Sequence, residues 1–190
     1  MKITVRGREP DPTDLPPPGD RRGTAIVEPG QANPPELPVY VTREAYRLML
    51  EHGAQGGRFE VGGFLLGGYH VHRGQPYVDI TVAVPSIKAK SEKTHVTFSN
   101  EAQREFFTLR ERQFPGLRVL GWYHSHPGYS VFLSDYDLFV QRNFFAEPHH
   151  VAVVVDPKQH YRWQQAGVFV WHQGDVSQGY HLIVYVQDEP

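Results

Sequence analysis

The sequence predicts an α/β or α+β domain in which one sheet packs against helices. Three segments have helical spacing with sensible caps, and seven shorter runs rich in Val, Ile, Leu and aromatic residues lie around them. A chain of 190 residues is also long enough to close one core between such layers.

The elements follow in order. Nine of the sixteen prolines fall between Pro10 and Pro38, among Gly, Asp and Arg with few residues able to pack. Residues 1–38 therefore read as an extended, mobile tail, with a short strand expected at Lys2–Val5. The folded domain is expected over 39–190. Thr42 to Gly53 has helical spacing: Thr42 can cap it, Ala45, Leu48 and Met49 share a face, and Gly53 can end it. Phe59–His72 and Tyr77–Ile87, split by Arg73-Gly74-Gln75-Pro76, read as a hairpin. The polar stretch Lys88–Thr94 reads as a solvated loop before a short strand at His95–Phe98. Asn100–Phe114 is a second helix stopped by Pro115-Gly116, and Leu117–His124 a strand. Ser134–Phe145 is a third helix with Leu138, Phe139, Val140, Phe144 and Phe145 around more than one side, and so expected to be well buried. Strands at His150–Val155, Arg162–His172 and Tyr180–Val186 follow, the last two joined by the turn-rich Gln173–Gly179.

Composition narrows the function. A formal net charge of −2 gives no reason to expect nucleic acid as a partner. No apolar run is long enough to span a membrane, and the first twenty residues lack the apolar core of a secretory signal, so the cytoplasm is the expected compartment. Cysteine is absent, which excludes disulfides and thiolate metal sites. A transition metal would have to be held by His and carboxylate.

The chemistry concentrates in Gly121-Trp122-Tyr123-His124-Ser125-His126-Pro127 and Ser134-Asp135-Tyr136-Asp137. Residues two apart on a strand point the same way, so His124 and His126 can converge on one cation. The pair alone is weak, because 11 His in 190 residues give a chance His-x-His frequency of roughly 0.6. His70-Val71-His72 is such a decoy, and His149-His150 is an adjacent pair. Both read as polar residues at strand ends. Asp137 strengthens the case for His124 and His126, since it stands in the first turn of the third helix, across a short loop. Two imidazoles and one carboxylate leave a tetrahedral zinc one open position, the arrangement that hydrolysis uses. The helix dipole also favours Asp137, and simple capping also accounts for Ser134. A hydrolase needs a base as well, and Glu60, ahead of the glycine-rich strand from Gly62, is the candidate. Trp122 has the strand parity of His124, which puts it on the metal side as either a substrate contact or a core residue.

Glu60-x-x-Gly63-x-Leu65-x-Gly67, then His124-x-His126-Pro127, six residues, Ser134, two residues and Asp137, resembles the JAMM (MPN-plus) metalloprotease family. Gly121-Trp122-Tyr123, Phe132-Leu133 and Val153-Val154-Val155-Asp156-Pro157 extend the likeness, which runs from about Val39 to the C-terminus. The resemblance implies a curved, mostly antiparallel sheet flanked by helices, the MPN/JAMM (cytidine deaminase-like) architecture. It further implies Zn2+ on His124, His126 and Asp137, with Glu60 as the base acting on the metal-bound water and Ser134 as the oxyanion donor. The implied substrate is a ubiquitin-like protein or its conjugates, cut after the C-terminal glycine. By the same likeness the clamp for an extended substrate tail lies around Ser86–Ser99, with Ser86, Ile87 and Thr97 as contacts. The short passage from Phe145 to His150 leaves little room for the long second insertion of some relatives. The compact form resembles prokaryotic members of ubiquitin-like conjugation systems, which implies activating and conjugating enzymes of the same pathway as partners. Three alternatives stay open: processing of a sulfur-carrier protein, a non-catalytic module that binds a ubiquitin-like partner around structural zinc, and hydrolysis of small amides.

Overall fold

The computed structural model describes residues 11–30, 37–86, 90–91, 96–161, 165–177 and 180–187. Expectations for Lys2–Val5 and Ile87 lie outside these residues, and so does the side chain of Thr97.

The strands that carry the fold are β1 (Thr24–Glu28), β2 (Val39–Thr42), β3 (Gly62–His72), β4 (Gln75–Pro85), β7 (Arg118–Ser125), β8 (Val151–Val155), β9 (Ala166–Phe169) and β12 (Ile183–Gln187). They form one eight-stranded sheet in the order β1-β12-β2-β4-β3-β7-β8-β9. Four neighbouring pairs are antiparallel and three parallel, so the sheet is mixed. Two ribbons stand apart from it: β5 (Lys90–Ser91) with β6 (Val96–Thr97), and β10 (Trp171–His172) with β11 (Asp175–Val176). The stretch Lys88–Thr94, expected as a plain loop, thus contains a strand.

Alternation explains the layers. Leu65, Leu120, Tyr123, Val151, Val153 and Val155 belong to one core cluster, together with Tyr46 and Met49 of α1 (Arg43–Gln55). Phe64, Leu66, Trp122, Ala152 and Val154 belong to a second cluster, which takes in Phe106 of α2 (Asn100–Gln113) and Val140 of α3 (Asp135–Phe144). Both faces of the sheet are therefore covered.

The alternation is interrupted at bulges, and those in β7 and β4 have consequences for the site. Leu66 of β3 faces Val119 where its neighbour Leu65 faces Gly121, so β7 carries one extra residue there. β4 carries another at the same level, between Ile80 and Val82. Paired bulges of this kind sharpen local twist and curl the sheet. Gly121 takes φ +140°, and a Cβ on it would lie 1.9 Å from Val151 O. Because of this bulge Val119 and Trp122, three residues apart, share a face, and His124 falls on that same face.

The helices start where the sequence indicates. Thr42, Ser99 and Ser134 each cap one, accepting from the backbone N–H three residues on. Gly53 does not end α1. It is buried inside the helix, where an added Cβ would sit 3.2 Å from Ser125 Cβ and 3.3 Å from Val155, so the glycine permits close approach of helix to sheet. The third helix is less buried than expected. Asp137, Val140 and Gln141 face inward, while Phe139 is 53 % exposed.

Residues 11–30 also differ from a free tail. β1 pairs antiparallel with β12 and forms one edge of the sheet. Upstream, Tyr77 Oη donates to Leu15 O and Pro16 O, and Arg21 pairs with the buried Asp79 at 3.0 Å. The decoy histidines serve here: His70 Nδ1 meets Thr13 Oγ1 at 2.6 Å and His72 Nδ1 meets Asp14 at 3.0 Å. Polar groups and backbone pairing help to hold this segment down, and Pro18 is buried. Among the described residues no helix is long and apolar enough to cross a membrane.

Candidate metal centre

The bulge in β7 and the cap of α3 bring three ligand-type side chains together. His124 is the next-to-last residue of β7, in register with Val154, and just past the strand His126 N–H donates to Val155 O at 2.8 Å. Ser134 and Asp137 form a capping box: Asp137 N–H donates to Ser134 Oγ, and Ser134 N–H donates to Asp137 Oδ2 at 2.8 Å. This fixes the carboxylate over the histidines. His124 Nε2 and His126 Nε2 are 3.0 Å apart, His124 Nε2 is 3.3 Å from Asp137 Oδ1, and His126 Nε2 is 3.6 Å from Asp137 Oδ2.

These separations suit a metal ion. Zinc ligands at about 2.0–2.1 Å in tetrahedral directions lie about 3.3–3.4 Å from one another, and the observed 3.0–3.6 Å brackets that value. His124, His126 and Asp137 are the one group of three possible metal ligands among the described residues, and all three are buried. The ion-pair partners of Asp137 and Glu60 among the described residues are the two histidines. Buried carboxylates with only imidazoles opposite lack a fixed cation to offset their desolvation, and a divalent ion would supply it.

The histidine chemistry agrees. His126 Nδ1 lies 3.2 Å from Ser130 O. A carbonyl can only accept, so this nitrogen carries a proton, and the neutral ring presents the Nε2 lone pair to the cluster. Burial alone would lower the His126 pKa, but the hydrogen bond to Asp137 and the charges of Glu60 and Asp137 raise it. In His124 burial prevails and holds the pKa below the ordinary value. Asp137 would be raised by burial, yet His124, the histidine hydrogen bonds and Ser134 hold it well below the usual carboxylate range. The candidate ligands are thus two imidazoles and an ionised carboxylate.

Glu60 stands beside this group, 4 % exposed, with Oε1 3.8 Å from His126 Nε2 and Oε2 without a hydrogen-bond partner among the described residues. Burial pushes its pKa up to about 7, with the His126 charge opposing and the Asp137 charge adding. A carboxyl poised near neutrality can both take and return a proton. Ser125, not singled out from the sequence, anchors Glu60 to β7: its Oγ accepts from Val61 N–H at 3.1 Å, and its own N–H donates to Val61 O at 2.9 Å. Ser134 Oγ donates to Asp137 Oδ2 at 2.6 Å, so its proton must swing away before it can serve a substrate oxygen.

The expected substrate contacts fare unevenly. Trp122 lies on the metal-side face but is fully buried, so it does not reach a substrate. Its ring stacks on His124 with centroids 4.5 Å apart, and its Nε1–H donates to Gln141 Oε1 at 2.8 Å. It is a backing wall for a ligand, and Gln141 was not legible beforehand. Ser86 is half-buried and continues the β4 pairing by donating from its N–H to Gly62 O at 3.0 Å. Thr97 belongs to β6, paired through its backbone with Lys90.

Known proteins agree with this picture. The chain is 35 % identical over 127 residues to the 26S proteasome regulatory subunit rpn11 of Schizosaccharomyces pombe, covering 64 % of this chain and 39 % of that protein. It is 36 % identical over 118 residues to COP9 signalosome complex subunit 5 of Eremothecium gossypii, covering 58 % of this chain and 26 % of that one. A further relative is named ubiquitin carboxyl-terminal hydrolase RPN11, from Saccharomyces cerevisiae, 35 % identical over 127 residues, 64 % of this chain and 39 % of that one. The chain thus spans well under half the length of these relatives. The solution structure of protein DSY2949 from Desulfitobacterium hafniense shares the fold, with a TM-score of 0.57 at 16 % identity, covering 80 % of this chain and 94 % of that one. The sequence profile described as "JAB1/Mov34/MPN/PAD-1 ubiquitin protease" matches residues 37–147, and the chain belongs to that family, the JAMM family of its motif.

Proposed function

We propose that this chain is a zinc-dependent peptidase or isopeptidase that cleaves after the C-terminal glycine of a ubiquitin-like protein. The observation that carries the reading is the buried His124–His126–Asp137 group with Glu60 Oε1 3.8 Å from His126 Nε2. The name of one relative, ubiquitin carboxyl-terminal hydrolase RPN11, points to the same reaction class.

His124, His126 and Asp137 hold the ion. When bound, zinc acidifies a water and polarises the scissile carbonyl. Glu60 takes a proton from the attacking water as the oxygen bonds to the glycine carbonyl carbon. It then delivers that proton to the departing amine as the C–N bond breaks, so the base is regenerated. Ser134 turns its hydroxyl from Asp137 to the developing oxyanion. The β5–β6 ribbon, standing apart from the main sheet, offers a backbone edge along which an extended glycine-ended tail can pair.

The test is hydrolysis, by the zinc-loaded protein, of a panel: a ubiquitin-like protein joined at its C-terminal glycine by a peptide or an isopeptide bond, a sulfur-carrier protein ending in Gly-Gly, and small acyl amides. The proposal expects turnover of the first and its loss in Glu60→Gln at equal zinc content. Equal rates in the two proteins, or turnover of small amides alone, overturn it.

A further inference from the structure

Asp156 closes β8, immediately before Pro157, and its side chain is fully buried. A buried carboxylate needs donors, and this one has four. Oδ1 accepts from Gly128 N–H at 2.8 Å and Lys158 N–H at 3.1 Å, and Oδ2 accepts from Ser130 N–H at 2.9 Å and Gln159 Nε2 at 2.8 Å. Two of the four belong to the loop that leaves His126. That loop is held in an unfavourable shape, with Gly128 at φ +90° and Ser130, which has a side chain, at φ +75°. A non-glycine residue there costs about 1–3 kcal/mol and persists only where the surroundings impose it. The Asp156 carboxylate, gripping the amides of both Gly128 and Ser130, imposes it.

The loop matters because Ser130 O is the acceptor for His126 Nδ1. That hydrogen bond keeps the proton on Nδ1 and aims Nε2 inward. His126 is also held from below by the N–H bond to Val155 O, the residue before Asp156. One strand end therefore controls both the position and the tautomer of a ligand. We propose that Asp156 is a positioning residue of the metal centre, acting through the Gly128–Ser130 loop to fix the His126 ring and its Nδ1–H tautomer. The proposal rests on the metal-centre reading above.

The experiment compares wild type, Asp156→Asn and Gly128→Ala. In Asp156→Asn one carboxylate oxygen becomes an NH2 that faces an N–H donor. Gly128 is exposed, with only Lys158 Cδ near an added Cβ at 3.5 Å, so Gly128→Ala disturbs the loop through φ alone and leaves the core intact. Zinc affinity is read by competition with a chromophoric chelator. The His126 tautomer is read in zinc-free protein by 15N–1H NMR of the imidazoles, and folding by circular dichroism. Loss of an outer partner of a ligand commonly lowers metal affinity 10- to 100-fold. We expect a loss in that range in both variants, together with a loss of the pure Nδ1–H signal of His126. If Asp156→Asn fails to fold, Gly128→Ala decides. Folded variants that keep the Nδ1–H signal and bind zinc like the wild type overturn this inference alone. Wild type that takes up no zinc overturns it together with the metal centre.

Discussion

Replacing Gln141 by leucine tests how the site is built into the core. Gln141 is fully buried; its Oε1 accepts from Trp122 Nε1–H at 2.8 Å, and its Nε2 donates to Phe145 O and His150 O, both at 3.2 Å. Leucine fills a similar volume and supplies none of these. Phe145 O keeps a donor in Trp171 Nε1–H at 2.9 Å, so its loss is small. Trp122 Nε1–H, on a ring with no exposure, is left without an acceptor, which costs about 1–3 kcal/mol, and the lost donor to His150 O adds up to about 1 kcal/mol. A total of about 1–4 kcal/mol lowers the melting temperature by about 2–16 °C in a chain of this size. The assay is thermal unfolding followed by circular dichroism, with a chelator present so that metal linkage does not mask the effect. Because the Trp122 ring backs His124, zinc affinity is expected to fall as well. A melting temperature within 2 °C of wild type would refute the view that this buried amide holds the wall behind His124.

The other predictions concern the site itself. The folded pKa of Glu60 is raised to about 7, above that of the unfolded chain, so the zinc-free protein binds more protons folded and loses stability as pH climbs through the window between the ordinary carboxylate value and about 7. Glu60→Gln should flatten that decline in pH-dependent unfolding; an unchanged slope contradicts the assignment. Ser134→Ala should lose about 1 kcal/mol of stability through the cap and about 10²–10³ in turnover through the oxyanion donor. Loss of stability alone would leave Ser134 a cap and nothing more. Gly121→Ala forces a Cβ against Val151 O at φ +140°, and chemical denaturation should show a loss of about 2–4 kcal/mol; a neutral result would mean that the β7 bulge does not depend on this glycine.

Much of the site was legible because its spacing is local. His124 and His126 are two apart at a strand end, and Ser134 and Asp137 are three apart at a helix start, where capping geometry turns the carboxylate predictably. The bulge at Gly121 could have defeated the strand-parity argument, but it lies upstream of Trp122, so Trp122 and His124 still share a face. What escaped was set by distant partners. β1 is a five-residue run in proline-rich surroundings whose partner, β12, lies at the other end of the chain. No local pattern marks such a pairing. Phe139 sits on a helix whose apolar residues lie on more than one side, and only packing decides that its own side stays open. Ser125 and Gln141 are ordinary polar residues in sequence, Asp156 is marked only as part of a longer motif, and each gains its role from groups brought to it by the sheet and the loops.

The most direct measurement is anomalous X-ray scattering at the zinc edge from crystals of the zinc-loaded protein. One peak is expected at bonding distance, about 2.0–2.2 Å, from His124 Nε2, His126 Nε2 and an Asp137 oxygen, with the fourth position facing Glu60 and free of protein atoms. A peak elsewhere, or a fourth protein ligand closing the site, would contradict the proposed metal centre.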